Sequence, residues 1–330
     1  MAALPRPLAS DRQDTRRGVL FMLGSALGFS LMGLFVKLAS ENLPAMEIVF
    51  ARSAFMTVVT AGSLRLAGKS LWGNDRPTLI ARGIVGATAL SVFYVGIGLL
   101  PLGDAVTIQY TAPVWTALTA ALLLGERFRP VVLVGAVLSL AGVVLVAQPT
   151  ALFGATPDPL DGWGVLAVAV GSVLSGLAYT FVRKLRATDD TMTIIFYLSW
   201  IGLVGSLPFV LTGWRWPSPA EWALLLAVGL ATHVGQVCLT KGMQVMEAGV
   251  ASAIGYVQVV LAFAWGVLFL GDGIDGLSIA GAAVIVSGVL LIVGRSRPTP
   301  ASPGTATAPN RLARLRTPRP RAMRPVEEEV

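Results

Sequence analysis

The sequence predicts an all-α polytopic membrane protein whose ten transmembrane helices form two inverted five-helix repeats. Three observations carry that expectation. Of the 330 residues, 55% are hydrophobic and 13% are charged, and the mean hydropathy is +0.73. Most of the chain therefore faces lipid or other apolar helices, and a soluble globule is excluded. The apolar residues gather in runs of about 20, the length at which a helix crosses a bilayer. The chain also repeats itself: the window Gly103 to Val146, moved along by 146 residues without a gap, falls on Gly249 to Ile292. Gly103 meets Gly249, Ile108 meets Ile254, Tyr110 meets Tyr256, Gly125 meets Gly271, Gly135 meets Gly281 and Gly142 meets Gly288. Aligned glycines and tyrosines answer particular packing needs, so the match reads as a duplication.

Residues 1–17 are polar and carry Arg6, Arg12, Arg16 and Arg17. The apolar run after them outlasts the roughly 7–15 residues of a signal-peptide core, so an uncleaved first span is expected at 18–38. Spans two and three follow at 46–66 and 78–98, set off by Pro44 and Pro77. Span four, 104–124, contains Pro113, which removes the hydrogen bond to the carbonyl of Gln109 and predicts a kink. Span five, 131–147, closes the first repeat, 18–147. A linker, 148–161, carries Pro157 and Pro159 and leads to the second repeat, 162–294. Its spans are expected at 162–182, 192–212, 220–240, 248–269 and 276–294. From 295 to 330 the chain is rich in Pro, Ala, Thr and Arg and too poor in apolar residues to fold, which predicts a disordered basic cytoplasmic tail.

Lysine and arginine in the loops set orientation. With the N-terminus in the cytoplasm, the inside segments hold Arg65, Lys69, Arg76, Arg127, Arg129, Arg183, Lys184, Arg186 and Lys241, whereas the outside loops hold only Arg215. Both termini are then cytoplasmic. Trp163, Trp214, Trp216 and Trp222 gather where the outer interface should lie. Five spans per repeat, an odd number, make equivalent helices cross in opposite directions. Such inverted repeats suit alternating access, because one half can take up the shape of the other.

The first span ends in Phe35-Val36-Lys37-Leu38-Ala39-Ser40, the second carries Phe50-Ala51-Arg52, and the fourth closes with Leu122 to Arg127 (LLLGER) before a glycine-rich fifth span. With the inverted duplication, these residues resemble the drug/metabolite transporter superfamily, in particular its EamA-like branch, over residues 18–294. The second repeat departs by placing Gly271-Asp272 where the first has Gly125-Glu126. The resemblance implies secondary transport of small organic solutes, often export of amino acids or other metabolites, across the bacterial inner membrane.

A charge at the centre of a span costs about 2.5–3.5 kcal/mol on insertion scales, so each needs a partner or a wet cavity. Lys37 and Arg52 both fall towards the outer ends of their spans. Lys37 reads as a snorkelling cation. For Arg52 an ion pair with Glu47 or Asp104 and a substrate-carboxylate site are both open. Pro113 frees an acceptor beside Gln109 and Tyr110, a place where transporters line their sites. In span eight His233, Gln236 and Thr240 recur at helical spacing as one polar stripe. His233 has the ionisation range for proton coupling, while a neutral hydrogen-bonding histidine is the plainer reading. Tyr256 and Gln258 lie close together in span nine, and Tyr256 is the repeat mate of Tyr110. The candidate substrate-binding residues are thus Arg52, Gln109, Tyr110, His233, Gln236, Tyr256 and Gln258. Gly24 with Gly28, and Gly281 with Gly288, are expected to serve close helix packing.

One histidine and one cysteine, Cys238, supply no HExxH or Cys/His pair, so an enzyme is not expected, and no cofactor or metal. The net charge of +7 sits in loops and at the chain ends rather than on an aromatic-laced face, which argues against nucleic acid. The remaining rival is a channel or a non-transporting membrane scaffold; a channel should show a filter loop or rings of like charge, and neither is visible. The expected partners are a small-molecule substrate and the lipid bilayer, with a homodimer left open.

Overall fold

A computed structural model describes residues 9–100, 102–126, 129–154, 161–271 and 275–295, which form helices and turns without a strand. The expectations for residues 1–8, Arg127 and Phe128, Pro157 and Pro159, Asp272 and the tail from 296 lie outside the described residues, as does the side chain of Asp104. The first repeat comprises α1 (Ala9–Ser40), α2 (Ala45–Leu66), α3 (Arg76–Leu99), α4 (Leu102–Gln109), α5 (Ala112–Leu124) and α6 (Pro130–Ala147). A single turn, α7 (Thr150–Phe153), lies in the linker. The second repeat comprises α8 (Gly162–Leu185), α9 (Thr191–Gly213), α10 (Pro219–Val245), α11 (Ala248–Ile254), α12 (Val257–Trp265) running on as a π-helical turn (Gly266–Leu270), and α13 (Gly276–Arg295).

Eight stretches among the described residues are long and apolar enough to cross a membrane. The helix α3 and the pair α4–α5 complete ten spans, arranged as two inverted five-helix repeats. The 146-residue offset carries one set of helix bounds onto the other, α4 onto α11 and α6 onto α13. Packing follows the same symmetry. The helix α1 packs on α10 while its mate α8 packs on α3, the mates α2 and α9 pack on each other, and so do α6 and α13.

Two boundaries differ from expectation. The first helix begins at Ala9, within the segment read as a polar lead. Span nine, expected as one helix over 248–269, breaks at Gly255 and Tyr256. No proline causes that break: the amides of Gly255 and Tyr256 reach back three residues to Ser252 and Ala253, tightening the turn. The break overlaps its mate in span four, where Tyr110 and Thr111 separate α4 from α5 just before Pro113.

Small residues set the closest approaches. A Cβ at Gly142 would lie 2.6 Å from the carbonyl oxygen of Gly281, and one at Gly281 would lie 2.7 Å from that of Gly142. Gly135 and Gly288 repeat the arrangement at 2.9 and 2.7 Å. Helices that touch backbone to backbone gain dispersion contacts where lipid offers no hydrophobic driving force. On α1, Gly28 likewise abuts Gly235 of α10. Gly125 and Gly271, repeat mates, both end their helices in the left-handed region, at φ 64° and 72°, which a side chain resists. Buried threonines such as Thr60, Thr116, Thr180 and Thr232 donate to carbonyls one turn back on their own helices, so they leave no polar group open to lipid.

Candidate functional site

Between the repeats lies a cavity of about 250 Å³. One end is lined by Met46 and Val49, in the first turns of α2, and by Phe209 near the end of α9. Because α1 begins at the other side, this is the face opposite the N-terminus. From there the cavity runs inward past Arg52 and Ser53 on α2 and Ser199 and Ser206 on α9 to Arg82 on α3 and Tyr179 on α8.

At the N-terminal face, polar contacts tie the repeats together. Arg183, at the end of α8, donates from Nε to Glu126 Oε1 at 2.7 Å, and from Nη1 to the carbonyls of Met243 and Gln244 at 3.2 and 2.9 Å. The other Glu126 oxygen accepts the amide of Ala248 at 3.0 Å, capping the start of α11. Arg129 pairs with Glu247 at 2.9 Å. Asp189 accepts the amides of Asn74 and Asp75, and Lys184 donates to Thr78 at 3.0 Å, joining the α2–α3 loop and the start of α3 to the α8–α9 turn and the end of α8. Asp75 in turn caps α3 by accepting the amide of Thr78. Hydrogen bonds from Thr78, with Lys184 close by, hold the Asp75 carboxyl below its ordinary value of 3.8 against the opposing effect of desolvation.

Four of the seven expected site residues, Arg52, Gln109, Gln236 and Gln258, line the cavity. Gln109 comes from the last position of α4, ahead of the break, and its Nε2 donates to Ser175 Oγ at 3.0 Å. Its Oε1 and that of Gln236 are buried acceptors that meet no donor among the described residues. Glu47, weighed as a partner for Arg52, is 2% exposed, and its Oε2 accepts the amide of Arg215 at 3.1 Å. Lys37 is exposed at the end of α1, as a snorkelling cation would be.

Tyr110, Tyr256 and His233 are not among the lining residues. The two tyrosines face each other across the helix breaks, with ring centroids 5.8 Å apart and planes 29° from parallel. Tyr256 OH donates to the carbonyl of Tyr110 at 2.9 Å. Their position fixes the adjoining segments that carry Gln109 and Gln258. His233 is partly buried on α10, and its Nδ1 meets no partner among the described residues.

Sequence reasoning missed Arg82, Tyr179 and Ser175. Arg82 is 3% exposed. A Cβ at Gly86, one turn along, would collide with the Arg82 guanidinium, so that glycine makes room for it. The signals were present: Arg82 is a cation inside an apolar run, and Ser172, Ser175 and Tyr179 recur on α8 with helical spacing. Thr111 Oγ1 donates to Ser172 Oγ at 3.0 Å, which closes that stripe against the break in span four.

A site enclosed by two repeats, supplying guanidinium, amide and hydroxyl groups, can bind a small polar molecule. Among the described residues no group of three or more His, Cys, Asp or Glu could hold a metal ion.

Comparison with known proteins adds the following. The model of the EamA-like transporter family matches twice, over residues 16–148 and 162–294. The pseudopaline exporter CntI of Pseudomonas aeruginosa is 33% identical over 274 residues, covering 82% of this chain and 94% of that protein. Solute carrier family 35 member G1 of Homo sapiens is 28% identical over 281 residues, covering 82% of this chain and 77% of that one. A crystal structure at 21% identity superposes with a TM-score of 0.72 over 83% of this chain and 95% of the other, a likeness of fold.

Proposed function

The chain belongs to the EamA-like transporter family, within the drug/metabolite transporter superfamily, and from that membership we propose that it exports small polar metabolites, such as amino acids or related compounds. It carries them across the bacterial inner membrane by alternating access, with both termini in the cytoplasm. The observation that carries this reading is the cavity between the repeats, where Arg52, Gln109, Gln236 and Gln258 meet. Such a cavity, placed between inverted repeats and flanked by two broken helices, is the arrangement alternating access requires. The similarity to a bacterial exporter supports the direction.

The test is uptake into inside-out vesicles from expressing cells, offered a pool of labelled amino acids and related metabolites with and without an imposed proton gradient. Accumulation of one compound, lost in Arg52→Ala or Gln109→Ala, supports the exporter. Absence of accumulation with folded protein in the vesicles overturns it. In the same assay, loss of gradient dependence in His233→Gln with transport retained assigns proton coupling to His233. Unchanged gradient dependence removes the histidine from the mechanism.

A further inference from the structure

We propose that Arg82 is the anion-binding residue of this cavity and that the substrate carries net negative charge: an organic acid whose carboxylate or phosphate seats on Arg82. The inference rests on the transporter reading above and specifies its substrate.

Two buried arginines differ in what they meet. Arg183, 8% exposed, is met by a carboxylate and two carbonyls. Arg82, 3% exposed, has no carboxylate paired with it among the described residues, and its Nε meets no hydrogen-bond partner. The Tyr179 phenol, uncharged, lines the same cavity. Arginine stays protonated in proteins, and a buried charge is costly unless something pairs it. What remains for Arg82 is the cavity that it lines. An anion entering there would complete the arrangement that Arg183 already has.

The rest of the lining gives the sign of the whole ligand. Among the described residues it includes Arg52 and Arg82 but no aspartate, glutamate, lysine or histidine. A zwitterion could place its carboxylate on an arginine, but its ammonium would meet no carboxylate among the described residues of these walls. The buried Oε1 acceptors of Gln109 and Gln236 remain for uncharged N–H or O–H donors of the ligand. A planar guanidinium binds carboxylate and phosphate alike through paired hydrogen bonds, so the two sources are separated by experiment.

The experiment is ligand-induced thermal stabilisation of the purified full-length protein, which reports binding whether or not the compound is transported. The probes are leucine, glutamate, succinate and glycerol 3-phosphate. The expected result is stabilisation by the net-anionic compounds over leucine, with the carboxylates or the phosphate ester leading and so naming the group. Arg82→Gln should weaken that binding by about 10- to 100-fold, the loss of a charge-assisted pair. Arg82→Lys, which keeps charge without the fork, should fall between. Arg82→Gln should also melt higher than the parent without ligand, because an unpaired buried charge is gone. An arginine with a purely structural role would melt lower on replacement. Stabilisation by leucine equal to that by glutamate, no stabilisation by any probe, or parental affinity in Arg82→Gln overturns the inference. An anion that binds through Arg82 but does not accumulate in vesicles sustains it and overturns the transporter reading instead.

Discussion

Tyr256 is fully buried, and its hydroxyl donates across the repeat boundary to a backbone carbonyl. Tyr256→Phe keeps the stacked ring and removes the bond. The expected loss of stability is about 0.5–1.5 kcal/mol, checked by thermal melting in detergent. Asp75 makes a pH prediction at the same scale. Its folded carboxyl is held below 3.8, so the native state binds the proton less readily than the unfolded chain. The stabilisation is fully present above that ordinary value and fades as pH falls below it, through the folded value. Asp75→Ala should therefore lower stability at neutral pH and flatten its acid limb, as read by melting temperature against pH. Single residues were unevenly legible. Arg52, Gln109, Gln236 and Gln258 stood out as polar groups in apolar runs, and the structure places them around one cavity. Arg82 fell within the expected span 78–98 but close to its start and to Arg76, where a cation can snorkel. Only packing shows that it is buried against the cavity. His233 stood out by rarity, and rarity carries no information about which way a helix is rotated.

At the scale of elements, the approach of α6 to α13 depends on backbone meeting backbone. Gly142→Ala would set a methyl group 2.6 Å from the carbonyl oxygen of Gly281, and neither helix can yield without parting from the other. A loss of about 1–3 kcal/mol is expected. Gly62→Ala on α2, where a Cβ meets nothing within 4 Å, should be neutral or slightly stabilising, as a helix prefers alanine. Melting the two variants side by side checks both. The spans themselves were legible because lipid enforces long apolar runs, and Pro113 announced the break in span four. Its mate in span nine was not visible. There the backbone tightens without a proline, and Tyr256 reaches Tyr110 across the break, a tertiary contact which local sequence does not encode.

Across the whole molecule, the cavity reaches the face opposite the N-terminus, while Glu126, Arg129, Arg183 and Glu247 bind the repeats together at the other. Glu126→Gln should loosen that closure, since a charge-assisted bond is worth about 1.5–3 kcal/mol, a roughly tenfold or larger shift in populations. The check is labelling of Ser175→Cys, in a background lacking Cys238, by a membrane-impermeant thiol reagent added at the N-terminal face. Labelling should quicken with Glu126→Gln. The duplication was the most legible feature of the chain, because the 146-residue offset survives in glycines whose packing admits nothing larger. Symmetry of sequence is nevertheless not symmetry of state. Tyr256 donates to Tyr110, and the reverse bond is not made among the described residues. Under the proposed rocking motion the opposite-facing form is this one with its halves exchanged, so Tyr110 would become the donor. The pair then works as a two-position latch. Tyr256→Phe weakens it in one position and Tyr110→Phe in the other, so the two substitutions, alike in chemistry, should bias the resting protein towards opposite sides of the membrane.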